Sequence, residues 1–138
     1  MKTSESLGKI SQALLKAQRQ IGAVKKTAAN PFFKSKFANL ESVIAAVKDA
    51  LNDNEIVILQ PHTAEGVVTT LLHSSGEYIS GLTPLVVAKE RDPQALGSAI
   101  SYARRYGLQS LVCLPAEDDD AESAMQRAPA KKAKNSDF

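Results

Sequence analysis

Residues 67 to 87 read VVTTLLHSSGEYISGLTPLVV and contain the clearest structural signal in the chain. Two β-rich runs, Val67–Leu72 and Tyr78–Val87, are separated by a Ser-Ser-Gly-Glu cluster that is typical of a turn. A third run, Ile56–Leu59, precedes them and has the β-branched content and length of a buried strand. Pro84 lacks the N–H that a strand ladder needs, so the last strand should be an edge or bulged there. Together the three runs predict a three-stranded antiparallel meander.

Helical patterns lie on both sides of these strands. Apolar residues recur every three or four positions from Leu7 to Val24, with Ser4 or Ser6 as a candidate cap, and again from Leu40 to Leu51 after Asn39. Asp92-Pro93 has the form of a helix start, and a packed face should follow it. That face consists of Leu96, Ala99, Ile100, Ala103 and Gly107. The predicted order is α-α-β-β-β-α, an α+β fold with the meander packed against helices.

Length and composition favour one compact domain. The chain has 138 residues, of which 43% are hydrophobic, and we expect a domain at residues 1–114 and a disordered tail at 115–138. The longest apolar run, residues 43–47, is far shorter than the roughly 18 residues of a membrane span, which predicts a cytoplasmic protein. Cys113 is the single cysteine, which excludes an internal disulfide and multi-cysteine metal sites, and a buried thiol is expected there.

The sequence contains no pattern that indicates catalysis. It has neither of the glycine-rich phosphate-binding motifs, and His62 and His73 lie eleven positions apart without a cysteine partner. Five acids between Glu117 and Glu122 resemble a metal-binding cluster, but they lie in the predicted tail without carboxylates on strands to complete a site. We therefore predict a protein that is not an enzyme and uses no cofactor or metal. A metal-dependent nuclease is the less favoured alternative.

Charge is unevenly distributed along the chain. Up to Leu114 there are 13 basic and 9 acidic residues, a net charge of +4, and no acid occurs between Glu5 and Glu41. The overall charge of +2 therefore hides a basic body and an acidic block.

Aromatic residues are few, and most lie beside basic ones. In the segment NPFFKSKFAN, residues 30–39, phenylalanines and lysines are interleaved in a predicted loop. In YARRY, residues 102–106, two arginines lie between tyrosines on a predicted helix. Cations that neutralise phosphates and rings that stack on bases are what a single-strand binder needs. The alternatives are rings that anchor the loop in the core or in a neighbouring subunit, and a helix whose arginines form surface salt bridges.

The chain resembles the ERF family of phage single-strand annealing proteins. The resemblance rests on NPFFKSKFANLESV at 30–43, LLHSSGE at 71–77, DPQALGSAISYARRY at 92–106, and residues 111–121. Phe37 and Ser101 depart from the tyrosine and threonine common in that family. The resemblance implies ATP-independent annealing of single-stranded DNA during phage homologous recombination in the bacterial cytoplasm. It also implies rings or filaments of many subunits, a core distantly like that of eukaryotic annealing proteins, and a host single-strand-binding protein as a partner of the tail.

Candidate DNA-binding residues follow from the basic windows and agree with the resemblance. The first candidates for phosphate are Lys34, Lys36, Arg104 and Arg105. A second group consists of Lys25, Lys26, Lys89 and Arg91. Phe33, Phe37, Tyr102 and Tyr106 are candidates for base stacking or for contacts between subunits. The alternative function is a phage single-strand-binding protein that protects DNA without annealing it, or a protein adaptor.

Overall fold

The structure is a computed structural model that describes residues 1–25 and 39–114. The elements of these residues, in chain order, are β1 (Lys2–Thr3), α1 (Gly8–Lys25), α2 (Leu40–Asp53), β2 (Ile56–Leu59), β3 (Gly66–His73), β4 (Tyr78–Pro84) and α3 (Pro93–Val112). This arrangement confirms the predicted α+β fold. Within the described ranges, no helix is long and apolar enough to cross a membrane.

The strands form one antiparallel sheet in the order β1-β4-β3-β2. Leu71 at its centre pairs with Ile58 on one side and Ile79 on the other, so the predicted meander is present. The fourth strand, β1, was not predicted because two residues are too few to show an alternating pattern. Strand β4 was predicted to end at Val87 but ends at Pro84.

The two edges of the sheet test the predictions made for Pro84 and for strand β2. Strand β1 pairs with β4 only at Ile79 and Ser80, so Pro84 lies beyond it on an edge, as expected. Strand β2 forms the other end of the sheet, and its Val57 and Leu59 side chains are exposed. The prediction of a buried β2 therefore holds for Ile56 but is wrong for Val57 and Leu59, because in the described part of the chain the helices cover only one face of the sheet.

The hydrophobic core lies between that face and the three helices. In β3 the buried Val67, Thr69 and Leu71 alternate with partly exposed residues, as the two-residue period of a strand requires. Of these β3 residues, Leu71 belongs to the central hydrophobic cluster. The other buried side chains of that cluster are Ile10, Ala13, Ala17 and Ile21 of α1, Val43, Val47 and Leu51 of α2, Ile56 of β2, Leu108 and Val112 of α3, and Leu114.

Two helices begin where the sequence predicts. The Asn39 side chain accepts a hydrogen bond from the Ser42 backbone N–H at 2.8 Å and caps α2. The Asp92 carboxylate accepts from the Gln94 N–H at 3.0 Å, and Pro93 is the first residue of α3. Both caps satisfy backbone donors that the helix itself leaves without a partner.

Helix α1 is capped from another part of the chain. A carboxylate oxygen of Glu77, in the turn between β3 and β4, accepts from the backbone N–H groups of Lys9 and Ile10, each at 2.8 Å. The expected cap at Ser4 or Ser6 was wrong, because the Ser4 hydroxyl bonds to the backbone of Tyr78 and of Ser6. The negative charge of Glu77 also lies at the positive end of the α1 dipole.

Removing the Glu77 cap should destabilise the fold. The variant Glu77→Ala leaves two backbone donors of α1 without their acceptor, and we expect the free energy of unfolding to fall by about 1 kcal/mol. Urea denaturation measures this change. Glu65→Ala, which removes an exposed glutamate from the loop before β3, is the matched control. Equal midpoints for the two variants would show that the Glu77 contact contributes nothing.

The face that α3 packs on the sheet differs slightly from the predicted one. Ala99, Ala103 and Gly107 are buried as expected, but Leu96 is exposed because it lies in the first turn, ahead of the packed part. At Gly107 an added Cβ would lie 2.6 Å from Thr69 Oγ1 and 2.8 Å from Thr83 Oγ1. The absence of a side chain at this residue therefore lets α3 approach β3 and β4. Cys113 is an exposed left-handed cap of α3, so the expected burial of its thiol was wrong.

Candidate nucleic-acid interface

Helix α3 presents two stacked tyrosine rings on its surface. Tyr102 and Tyr106 are four residues apart, so their side chains lie on the same face of the helix. Their ring centroids are 6.2 Å apart and the ring planes differ by 10°. The two side chains are 56% and 42% exposed, respectively. The exposed parts of both rings are available to a ligand.

Arg105 holds a cation against both rings. Its guanidinium carbon lies 5.3 Å from the centroid of Tyr102 and 4.6 Å from that of Tyr106. Its Nη2 also donates a hydrogen bond to the Tyr106 hydroxyl at 3.3 Å. Only 5% of Arg105 is exposed, so the tyrosines are supported by a buried charge. Cation–π contacts of this kind stabilise a ring position most where water is excluded.

A groove runs beside the tyrosine pair, between α3 and the start of α2. Its volume is about 620 Å³, and Tyr102 and Arg105 lie in its wall. The groove is otherwise lined by Asn39, Leu40, Gln94, Gly97, Ser98 and Ser101. The amide and hydroxyl side chains of Asn39, Gln94, Ser98 and Ser101 can donate and accept hydrogen bonds with a polar ligand. We refer to this feature below as the tyrosine groove.

Arg104 lies in a second groove, of about 370 Å³, that also contains Lys48 and Gln60. Its Nε donates to the Gln60 side-chain oxygen at 3.4 Å. Consecutive helical residues are rotated by about 100°, which explains why the two adjacent arginines lie in different surroundings. Of the two predicted arginines, Arg104 therefore lines a groove, whereas Arg105 is buried against the tyrosine rings.

The other candidate DNA-binding residues lie outside these two grooves or outside the described residues. Lys89 and Arg91 are exposed in the connection from β4 to α3, and Arg91 has a left-handed backbone with φ of 62°. Lys25 is the last residue of α1. The side chain of Lys25 and the whole of Lys26, Phe33, Lys34, Lys36 and Phe37 lie outside the described residues. Of the predicted residues, the structure brings together Tyr102, Arg105 and Tyr106.

Two groove residues were missed by the sequence analysis. Lys48 lies one helical turn from both Ile44 and Asn52, and all three line the second groove. That spacing was readable, but the pattern does not reveal what lies opposite α2. Gln60 follows β2 directly and gives no local signal, because its partners Thr69 and Arg104 are distant in sequence.

The histidines belong to turn and strand structure. His73 Nδ1 lies 2.8 Å from the Ser75 hydroxyl and accepts from the Ser75 N–H within the β3–β4 turn, and His62 forms an isolated bridge with Val67. Across residues 1–25 and 39–114, no three histidine, cysteine or acidic side chains are grouped so that they could hold a metal ion.

Comparison with protein families finds a match for most of the chain. The model of the ERF superfamily matches residues 10–137, which include every element described above except β1 and the first two residues of α1. No curated protein and no solved structure matches the chain.

Proposed function

We propose that this chain, which belongs to the ERF superfamily, binds single-stranded DNA and anneals complementary strands without ATP during phage homologous recombination. Membership of the family indicates a function of the recombination and annealing type. The observation that carries the finer proposal is the exposed Tyr102–Tyr106 pair with the Arg105 guanidinium against both rings.

The tyrosine pair supports binding of unpaired bases over binding of duplex. Base faces are available for stacking in a single strand but are covered by neighbouring base pairs in a duplex. Stacking of one base on an aromatic side chain contributes about 1–3 kcal/mol and tolerates any sequence, because every base has a π face. A protein that anneals strands of any sequence needs this kind of contact. The base edges stay free to pair with the second strand.

Charge supports the same proposal. Helix α3 contains two arginines and no acidic residue between Pro93 and Val112. In sequence, Lys36 lies three residues and Lys34 five residues before Asn39, which lines the tyrosine groove. Neutralised phosphates on each strand lower the repulsion between two strands that must come together. Annealing forms no covalent bond, so this function requires no catalytic group.

An annealing assay tests the proposal against its alternative. Two complementary labelled oligonucleotides are mixed with the full chain in EDTA and without nucleotide, and the rate of duplex formation is measured. We expect the protein to accelerate annealing over the rate of the strands alone. A slower rate would instead support a protein that only protects single strands, and strand cleavage that depends on Mg²⁺ would support a nuclease.

Assembly into a ring or filament is part of the proposed function, because one subunit of this size can hold only a short length of strand. The mass in solution, measured by light scattering after size exclusion, should be a large multiple of 14.8 kDa. A monomer that still anneals would overturn the oligomeric part of the proposal.

The tail is proposed to regulate and not to anneal. We assign annealing and assembly to residues 1–114 and contact with a host single-strand-binding protein, in the bacterial cytoplasm, to residues 115–138. Leu114 is the last buried core residue of the described part. A chain that ends at Leu114 should therefore anneal at the rate of the full chain. If it folds but no longer anneals, the acidic block belongs to the working site.

A further inference from the structure

The groove that contains Arg104 has the composition of an anion site. It lies between α2, strand β2 and α3, and its described lining includes two cations, Lys48 and Arg104, and no acid. Asn52 and Gln60 add amide groups, and Ile44 and Ile58 provide an apolar floor. Neither cation has a carboxylate neighbour on its own helix, since positions three and four residues away carry no Asp or Glu. The charges in this groove are therefore not neutralised along their helices.

Gln60 fixes the position of Arg104. Its side-chain amide donates to the Arg104 carbonyl at 2.8 Å and to the buried Thr69 hydroxyl at 2.9 Å. Its oxygen accepts from Arg104 Nε at 3.4 Å. Among the described residues this is the only hydrogen bond that the Arg104 side chain makes, so its two terminal NH₂ groups are available. Those two groups form the fork that binds a phosphate through two hydrogen bonds.

Lys48 supplies the second charge from the opposite wall. It is exposed on α2, and its long flexible stem lets the ammonium follow a phosphate that moves along the groove. The α2 residues Leu40, Ile44, Lys48 and Asn52 form one stripe, which lines the tyrosine groove at its start and this groove further along. The stripe is about 18 Å long at 1.5 Å per residue. A stripe of this length can lie beside more than one phosphate of a single strand.

Among residues 1–25 and 39–114, no strand pairs with the outer edge of β2, and this edge favours an anion over an added strand. Strand β2 ends the sheet, so alternate N–H groups point away from β3 toward this side. The Ile56 carbonyl already accepts a hydrogen bond from the Asn52 side chain at 2.8 Å, and Pro61 follows two residues after the strand. A partner strand would need that carbonyl as an acceptor, whereas a phosphate needs only donors.

We propose that the groove between Lys48 and Arg104 binds the sugar–phosphate backbone of single-stranded DNA, with Gln60 as the residue that positions Arg104. This inference rests on the proposed function and extends it, because it assigns backbone binding to a groove separate from the tyrosine groove. A strand whose bases stack on the tyrosines continues along the α2 stripe with its phosphates between Lys48 and Arg104.

The dependence of affinity on salt tests this assignment. The full chain and its Lys48→Gln variant are titrated with fluorescent oligo-dT at several salt concentrations, with Lys16→Gln, an exposed lysine of α1, as the matched control. Loss of one phosphate contact should reduce the slope of log K against log salt by about 0.7 in Lys48→Gln and leave it unchanged in Lys16→Gln. Equal slopes for all three proteins would overturn the assignment of backbone binding to this groove but would leave the proposed function intact. If the unaltered chain does not bind oligo-dT, both proposals fail.

The positioning role of Gln60 is tested by a double-mutant cycle. Arg104→Ala should reduce the salt slope by about 0.7, and Gln60→Ala should reduce it in the same direction. In the double variant, the second substitution should add no further change to the slope, because the guanidinium that Gln60 positions is gone. Circular dichroism of each variant verifies folding. Additive losses of salt slope would show that Gln60 does not act through Arg104. The Lys48→Gln titration tests DNA binding by the groove even if Gln60→Ala does not fold.

Discussion

Replacing both Tyr102 and Tyr106 by leucine is expected to weaken the binding of single-stranded DNA by at least tenfold. Each stacked base contributes about 1–3 kcal/mol, so the loss of two ring faces removes at least this factor. The leucines keep apolar side chains over Arg105. Fluorescence anisotropy of labelled oligo-dT measures the affinity. The salt slope should stay near that of the unaltered chain, because stacking releases few counterions.

The control for this variant is Tyr78→Leu, which removes the remaining tyrosine of the chain, on strand β4. It should bind oligo-dT as tightly as the unaltered chain. The tyrosine groove would be excluded as the base-binding surface if the double variant, folded and of unchanged mass in solution, also kept its affinity.

Adding a single methyl group at Gly107 is expected to destabilise the fold more than removing the Glu77 cap. Gly107→Ala brings Cβ within 2.8 Å of the hydroxyl oxygens of Thr69 and Thr83. Thr69 cannot rotate freely, because its hydroxyl accepts a hydrogen bond from Gln60. Overpacking of this kind typically costs about 1–3 kcal/mol in the free energy of unfolding. Urea denaturation measures the loss.

Gly97→Ala is the matched control, since both glycines lie inside α3 and nothing lies within 4 Å of a Cβ built at Gly97. There the higher helix propensity of alanine should raise the free energy of unfolding by about 0.5–1 kcal/mol. The expected signs are therefore opposite. A gain of stability at Gly107 would mean that α3 does not approach the sheet as described.

Local signals in the sequence were sufficient to predict most of the fold. The caps at Asn39 and Asp92 act within three residues, and the turn between β3 and β4 depends on adjacent small and polar residues. The predictions that were wrong, such as the cap of α1 and the burial of β2, concern features that depend on contacts between residues distant in sequence. Glu77 caps a helix 68 residues earlier, and the exposed face of β2 depends on where three helices pack. Periodicity predicts which residues share a face but not what covers that face.

The candidate site could be predicted in its residue types but not in its arrangement. The YARRY pattern correctly indicated that rings and cations are close together on one helix. It did not show that Arg105 would be buried against the rings while Arg104 entered another groove. That division depends on how α3 packs against the sheet, where a Cβ at Gly107 would meet Thr69 and Thr83. Lys48 and Gln60 lie beside Arg104 only because the chain folds α2, β2 and α3 together, which no local sequence pattern indicates.

The emission of tyrosine gives the most direct test that α3 meets the bases of single-stranded DNA. The chain has three tyrosines and no tryptophan, so the variant Tyr78→Phe emits only from Tyr102 and Tyr106. If bases stack on these rings, saturating oligo-dT will quench that emission in step with the anisotropy of the labelled strand. Unchanged emission while anisotropy reports complete binding would contradict the proposed interface.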